Sequence, residues 1–454
     1  MWLLPAIAAL SRVAARTYYR LTIAGERVPS SGPLLVVANH PNALLDPILV
    51  AAAARRPVRF LAKAPLVDDR RIGWLVRALG CIPVYRQQDG AAATGRNAEA
   101  FRAAHEALAG GSAVAVFPEG ISHDAPALSP LKTGTARIAL GAAAATGAPF
   151  PLVPIGLVLR AKETYRSDAL AVVGEPVPWD DLSSSGPEDA HAVRELTSRI
   201  DAALRGVTLN LDDWADAPVV ECAEAIWAAE RGASSDPAER VERLRVVTGL
   251  LGELRRVPGA AGAVLFTSVR RHARVLARLG LAPADLHADV RSEAALGWSV
   301  RRIPLALLPV ILVAVAGFVA WWPPYRLTGI AARAVDRGPG RDARATYKLI
   351  GGVLFYLAWL VIVTALAFAW WGVGAGFGTL VGLPLLGIAG LWIRERWRAS
   401  WASARRFFMI RHEPRLIADL RWRQRELAER LDTILAASRA AVRQRQDEMP
   451  SVER

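Results

Sequence analysis

Between about residues 20 and 180, short apolar runs alternate with helix-period segments. Leu34–Ala38, Ala113–Phe117 and Leu152–Val158 are apolar almost without interruption, the pattern of strands buried on both faces rather than on one. Between them, Asn97–Ala109 and Thr135–Ala145 read as helices, the second closing at Gly147. Strands alternating with helices predict an α/β domain, a mainly parallel sheet flanked by helices. Ligand sites on such sheets lie in loops beyond the strand C-termini. A Ser/Gly/Pro-rich patch at Ser183–Pro187 precedes a return to helix by Val193, and a domain edge is expected near Gly206. Residues 206–302 read as helices with breaks at Gly232–Pro237 and Gly259.

The pattern then changes. Ile303–Tyr325 carries no charged side chain over 23 residues, and Leu349–Ile393 carries none over 45. About 20 apolar residues cross a hydrocarbon core of ~30 Å. The first stretch therefore predicts one helix, broken or re-entrant because of Pro304, Pro309, Pro323 and Pro324. The second predicts a helical hairpin turning at Gly372, Gly374, Gly376 and Gly378. Leu416, Leu420, Leu427, Leu431 and Leu435 in the tail share one helical face, expected to form a surface helix or a coiled-coil partner. The expected division is 1–205, an α/β domain; 206–302, helical; 303–393, membrane region; and 394–454, a basic helical tail.

Charge alters the picture in one respect. The net charge of +14 suggests nucleic acid, but Arg394–Arg454 holds 15 Lys and Arg against 9 Asp and Glu directly after the apolar stretch. Basic residues beside a span mark the cytoplasmic side and attract anionic lipid. With no zinc-finger spacing and no basic region interleaved with stacking aromatics, nucleic acid is not expected as a partner. The basic segments flanking both apolar stretches favour one side, so the α/β domain is expected on the cytoplasmic face of an integral membrane protein. Met1–Leu10 reads as an amphipathic, membrane-leaning helix. Two cysteines, Cys81 and Cys222, form no disulfide framework.

Candidate chemistry gathers at strand ends. After Leu34–Ala38 come His40, Asn42 and Asp46. A neutral imidazole takes a proton from an alcohol, and a carboxylate on its other nitrogen fixes the tautomer. A histidine capping a helix beside a solvated Asp accounts for the same spacing. After Ala113–Phe117 come Glu119, Gly120 and Ser122, a loop suited to gripping a polyol, and then Lys132 before a helix N-terminus. Arg59–Lys63, ending in Lys63, leads to Gly80–Arg86, where Arg86 follows a strand-like run and is suited to a phosphate. Val153–Gly156 has the look of a buried strand with a close backbone approach.

Taken in order, Asn39-His40 to Asp46, Gly80–Arg86, Phe117–Gly120 and Val153–Gly156 resemble the four blocks of the glycerol-phosphate and lysophospholipid acyltransferase family. The longer run Phe117–Asp124 with Leu131–Gly134 resembles its glycerol-3-phosphate/dihydroxyacetone-phosphate branch, as do Gly206–Asn210 and Ala345–Lys348. Five residues separate His40 from Asp46 where the common motif has four, a spacing that branch also shows. The resemblance implies an O-acyltransferase of phospholipid biosynthesis. His40 would be general base, Asp46 its orienter, and Asn42, Lys63, Arg86, Glu119, Gly120, Ser122 and Lys132 would meet or shape the acceptor. The donor would be acyl-CoA or acyl-carrier protein, the acceptor a phosphorylated glycerol, with no cofactor and no metal. Transfer to lysophosphatidate is the nearest alternative. A non-catalytic lipid-binding scaffold is the second.

Overall fold

In the computed structural model, which describes residues 4–43, 45–68, 70, 73–78, 80–84, 93–159, 161–162, 164–256, 260–287, 307–335 and 344–448, seven strands share one sheet. They are β1 (Tyr19–Gly25), β2 (Leu34–Ala38), β3 (Val58–Lys63), β4 (Ile82–Val84), β5 (Ala113–Val116), β6 (Leu152–Leu159) and β7 (Ser167–Val173). The order is β1-β7-β6-β2-β5-β3-β4. Every pairing is parallel except β6 with β7. The mainly parallel sheet expected from the apolar runs is therefore present, with a single antiparallel return.

The flanking helices of this part are α1 (Leu4–Tyr18), α2 (Leu45–Ala54), α3 (Ala64–Asp68), α4 (Gly73–Ala78), α5 (Ala93–Ala109), α6 (Gly134–Thr146) and α7 (Ala190–Val207). Leu35, Val37, Val114, Val116 and Leu152 from the central strands meet Leu108, Leu140, Leu196 and Leu204 from the helices in one core. Each such side chain contributes about 1.5–3 kcal/mol by leaving water. α6 ends where expected: Gly147 takes φ 74°, and its N–H returns to the Ala143 carbonyl, a left-handed cap that glycine adopts without strain.

The first unit does not stop at residue 205. Its contacts run through Asp212 and take in Ser235–Arg245. The physical reason is a close approach that the Gly206 boundary ignored. A Cβ on Gly156 would overlap the Val207 carbonyl, so the end of α7 is seated directly on β6. Beyond it, Asn210 Oδ1 accepts the Leu128 N–H at 3.0 Å, and Arg245 donates to the Gly206 carbonyl at 2.9 Å.

The second unit contains α8 (Ala217–Arg231), part of α9 (Pro237–Arg256), α10 (Ala260–Leu279), α11 (Leu307–Val335), α12 (Arg344–His412) from Tyr347 onward, and α13 (Pro414–Glu448). Ile417, Leu420, Leu427 and Leu431 are buried, Ile417 and Leu420 in a cluster with Leu276, Leu281 and Leu286. Asp432 accepts from Trp227 Nε1 at 2.6 Å and from Arg231 Nε at 2.9 Å. The apolar face read in the tail is thus covered by the helical region read before the membrane segments.

Among the described residues, two helical stretches are long and apolar enough to cross a membrane, Val310–Ala334 and Gly351–Arg398. The expected break in the first is absent: α11 runs helically through Pro323 and Pro324. Pro324 lacks the N–H that would bond the Ala320 carbonyl, and the Trp359 indole donates to that carbonyl at 2.9 Å instead. A neighbouring side chain that re-satisfies the freed group is what lets proline persist in an apolar helix. α12 turns back at Gly372, φ 82° and ψ −175°, and Phe368 meets Phe377 edge-on at 5.5 Å. The hairpin and its glycine turn match the expectation.

Candidate active site

β2 and β5 run side by side in parallel with Val37 opposite Val116. The chain therefore leaves both strands at the same level, and three residues further on stand His40 and Glu119. β6 lies on the other side of β2, with Ala38 opposite Ile155. Asn39 extends that ladder with its side chain, Oδ1 accepting the Leu157 N–H at 2.7 Å and Nδ2 donating to the Leu157 carbonyl at 3.0 Å.

His40 Nδ1 and Asp46 Oδ2 are 2.8 Å apart. Asp46 lies in the first turn of α2, where the helix dipole favours a carboxylate. It is fully buried, and the same Oδ2 accepts the Asn42 N–H at 2.6 Å. Burial pushes the Asp46 carboxyl above the ordinary carboxylate range, against the lowering pull of His40, the Asn42 N–H and Lys162. The imidazole stacks on Phe117 at 4.1 Å and 12°, which fixes its plane. The His40 side chain is 18% exposed. With Nδ1 held by Asp46, Nε2 is the nitrogen left for proton transfer.

The five-residue gap between His40 and Asp46 does not separate them. The loop turns through Ala43 at φ 40°, a left-handed conformation that costs a non-glycine residue about 1–3 kcal/mol. Ser122 Oγ holds it there by accepting the Ala43 N–H at 2.9 Å.

The loop after β5 grips His40 by its backbone. Glu119 is 3% exposed; Oε1 accepts the His40 N–H at 2.9 Å and Oε2 accepts the Ser129 N–H at 2.8 Å. His123 Nε2 also pairs with Glu119 Oε2. The Ala125 N–H donates to His123 Nδ1 at 3.1 Å, which assigns the His123 proton to Nε2. The His123 N–H donates to the His40 carbonyl at 3.2 Å. Gly120 takes φ 72°, with the Lys132 stem lying against it.

The expected site residues thus fall into three groups. His40, Asp46, Glu119, Gly120, Ser122 and Lys132 are brought together, and Lys63 stands exposed at the C-terminal end of β3, the strand next to β5. Asn42, expected against the acceptor, is instead fully buried and donates to the Tyr19 hydroxyl at 2.7 Å; it fastens the loop from behind. Arg86 lies outside the described residues. Sequence reasoning passed over Tyr19, Lys162 and Ser129. They join the site across 23, 121 and 10 residues of chain respectively, and none stands in a motif that would single it out.

Residues 20–158 match the acyltransferase family model, so this segment is an acyltransferase-family domain. The chain is 34% identical over 134 residues to glycerol-3-phosphate O-acyltransferase 2 of Saccharomyces cerevisiae, covering 29% of this chain and 18% of that protein. It is 32% identical over 130 residues to glycerol-3-phosphate O-acyltransferase 1 of the same yeast, covering 28% and 17%. The chain therefore spans under a fifth of the length of the yeast relatives it matches. Among solved structures it is similar to the 1-acyl-sn-glycerophosphate acyltransferase of Thermotoga maritima, at 22% identity and a TM-score of 0.33, covering 44% of this chain and 78% of that one.

Proposed function

We propose that this protein is a membrane-bound O-acyltransferase of glycerolipid synthesis, moving a fatty acyl group from a thioester to a hydroxyl of glycerol-3-phosphate or dihydroxyacetone phosphate. The observation that carries the proposal is the His40–Asp46 pair, 2.8 Å apart at the end of the central strand β2. The similarity of this segment to two yeast glycerol-3-phosphate O-acyltransferases supports the choice of acceptor.

In the proposed reaction the acceptor hydroxyl gives its proton to His40 Nε2 as its oxygen attacks the thioester carbonyl. Asp46 stabilises the imidazolium that forms. The tetrahedral intermediate collapses with cleavage of the carbon–sulfur bond, and His40 returns the proton to the departing thiolate. An ester and a free thiol result, and no acyl-enzyme is formed. The reaction is redox-neutral and its proton moves through His40, so it calls on no cofactor beyond acyl-CoA or acyl-carrier protein as donor. General-base help of this kind supplies about 10²–10⁴-fold; positioning of the two substrates supplies much of the rest.

Lys63 and Lys132, exposed at the rim, are the candidate contacts for the acceptor phosphate, together with Arg86. The apolar helices α11 and α12 and their basic flanks would hold the domain on the cytoplasmic face beside anionic lipid. An active site there meets an amphiphilic donor and releases an amphiphilic product without moving either through water.

The test is acyl transfer from labelled palmitoyl-CoA, and separately from acyl-carrier protein, by membranes containing the protein. Glycerol-3-phosphate, dihydroxyacetone phosphate and lysophosphatidate are offered in parallel, with His40→Ala as control. Product from either of the first two, lost in the control, is expected. Product from lysophosphatidate alone would move the enzyme one acylation later. No His40-dependent product from any acceptor would leave the scaffold reading.

A further inference from the structure

Lys162 stands in the connection that carries the chain from β6 into its antiparallel neighbour β7. Its side chain is 12% exposed, an uncommon place for a lysine unless its charge is paired. Nζ donates to the Pro41 carbonyl at 2.7 Å and lies 2.7 Å from Asp124 Oδ1. The other end of the residue is held as well. The Tyr19 hydroxyl donates to the Lys162 carbonyl at 2.6 Å while accepting from Asn42 Nδ2 at 2.7 Å.

One lysine therefore ties its own connection to two loops, those after β2 and β5, and to the start of β1. Its ammonium reaches Pro41, the residue after His40, and its carbonyl reaches Asn42 through Tyr19. Its partner Asp124 lies beside His123, whose N–H is bonded to the His40 carbonyl. Two of the three ammonium donors are engaged, and the carbonyl of Pro41 has no helix or strand to bond it.

We infer that Lys162 is a positioning residue for acyl transfer: by tying the β6–β7 connection to Pro41 and Asp124 it fixes the backbone that aims His40. The inference rests on the reading of His40 as the general base. It also gives the antiparallel return of β7 a part in the chemistry, since that return is what brings the connection over the His40 loop.

The expected signature is a loss in turnover without a matching loss in donor binding. A misplacement of about 1 Å at a reacting group can cost 10²-fold, so Lys162→Met is expected to lower kcat by roughly 10–10²-fold. The KM for palmitoyl-CoA should stay unchanged, and Lys162→Arg, which keeps both donors, should restore most of kcat. Asp124→Asn removes the ionic anchor but leaves the Pro41 bond, so it should lower kcat by less than Lys162→Met. His40→Ala is run beside them, all in the full chain in membranes. If His40→Ala is inactive and Lys162→Met loses kcat with KM unchanged, the inference stands. If His40→Ala is inactive while Lys162→Met keeps kcat or changes only KM, the role of Lys162 is overturned and the general-base reading survives. An active His40→Ala overturns that reading and this inference with it. Should Lys162→Met not accumulate, Asp124→Asn decides: a kcat-only loss supports the inference, and an unchanged kcat overturns it.

Discussion

Asp46→Asn separates the charge of the diad from its geometry. Asp46 Oδ2 accepts both the Asn42 N–H at 2.6 Å and the His40 Nδ1 proton at 2.8 Å. An asparagine with its oxygen in that place keeps both bonds. The flipped amide would aim N–H at the Asn42 N–H, so the orientation is set, and with it the His40 tautomer. What disappears is the negative charge facing the imidazolium. Two unit charges about 4 Å apart at an effective dielectric of ~20 interact by roughly 4 kcal/mol, and each 1.36 kcal/mol of barrier is tenfold in rate. The expected loss in kcat/KM is therefore on the order of 10³-fold.

Stability should move the other way. Burial holds the Asp46 carboxyl above its ordinary range. A carboxyl raised in the folded state favours folding most when protonated, below its unfolded pKa, and that contribution is lost as pH rises through the folded value. At neutral pH the buried charge is thus a burden, and the neutral amide should melt at the same or a higher temperature. The assay pairs steady-state acyl transfer with thermal unfolding of the detergent-solubilised protein. A rate loss under about tenfold in a well-folded variant would refute the electrostatic role assigned to Asp46, and a markedly lower Tm would refute the account of its burial.

Two further outcomes follow from the packing around the diad. Glu119→Gln places an amide among the His40 N–H, the Ser129 N–H and His123, all of them donors to Glu119; one buried N–H loses its acceptor, and a loss of about 1–3 kcal/mol is expected in denaturant unfolding. Gly156→Ala would drive a methyl into the Val207 carbonyl. The resulting strain of about 1–3 kcal/mol should appear as a lower Tm in thermal unfolding.

Much of this molecule was legible in the order of its residues. Unbroken apolar runs set β2, β5 and β6 to within a residue or so of their ends, because strands buried on both faces tolerate no polar position. The glycine turn at Gly372 was legible for a related reason: two apolar helical arms need a reversal, and φ 82° is open to glycine. The pairing of His40 with Asp46 was a candidate from local spacing, since a loop of five residues keeps its ends close whatever the rest of the chain does.

Other features required the fold. Pro323 and Pro324 predict a break from local rules alone, whereas Trp359, arriving from another helix, supplies a donor for the Ala320 carbonyl that Pro324 frees. The tail's apolar face was visible, but not that α8 and α10 of the same chain cover it. Asn42 reads as a polar residue beside a candidate catalytic histidine and is turned inward by a tyrosine 23 residues earlier. Lys162 carries no local signal at all. Hydrophobic period and short-range spacing act along the chain and can be read there. Hydrogen bonds between loops exist only after parallel strands have aligned their ends, so their partners are decided by the register of the sheet.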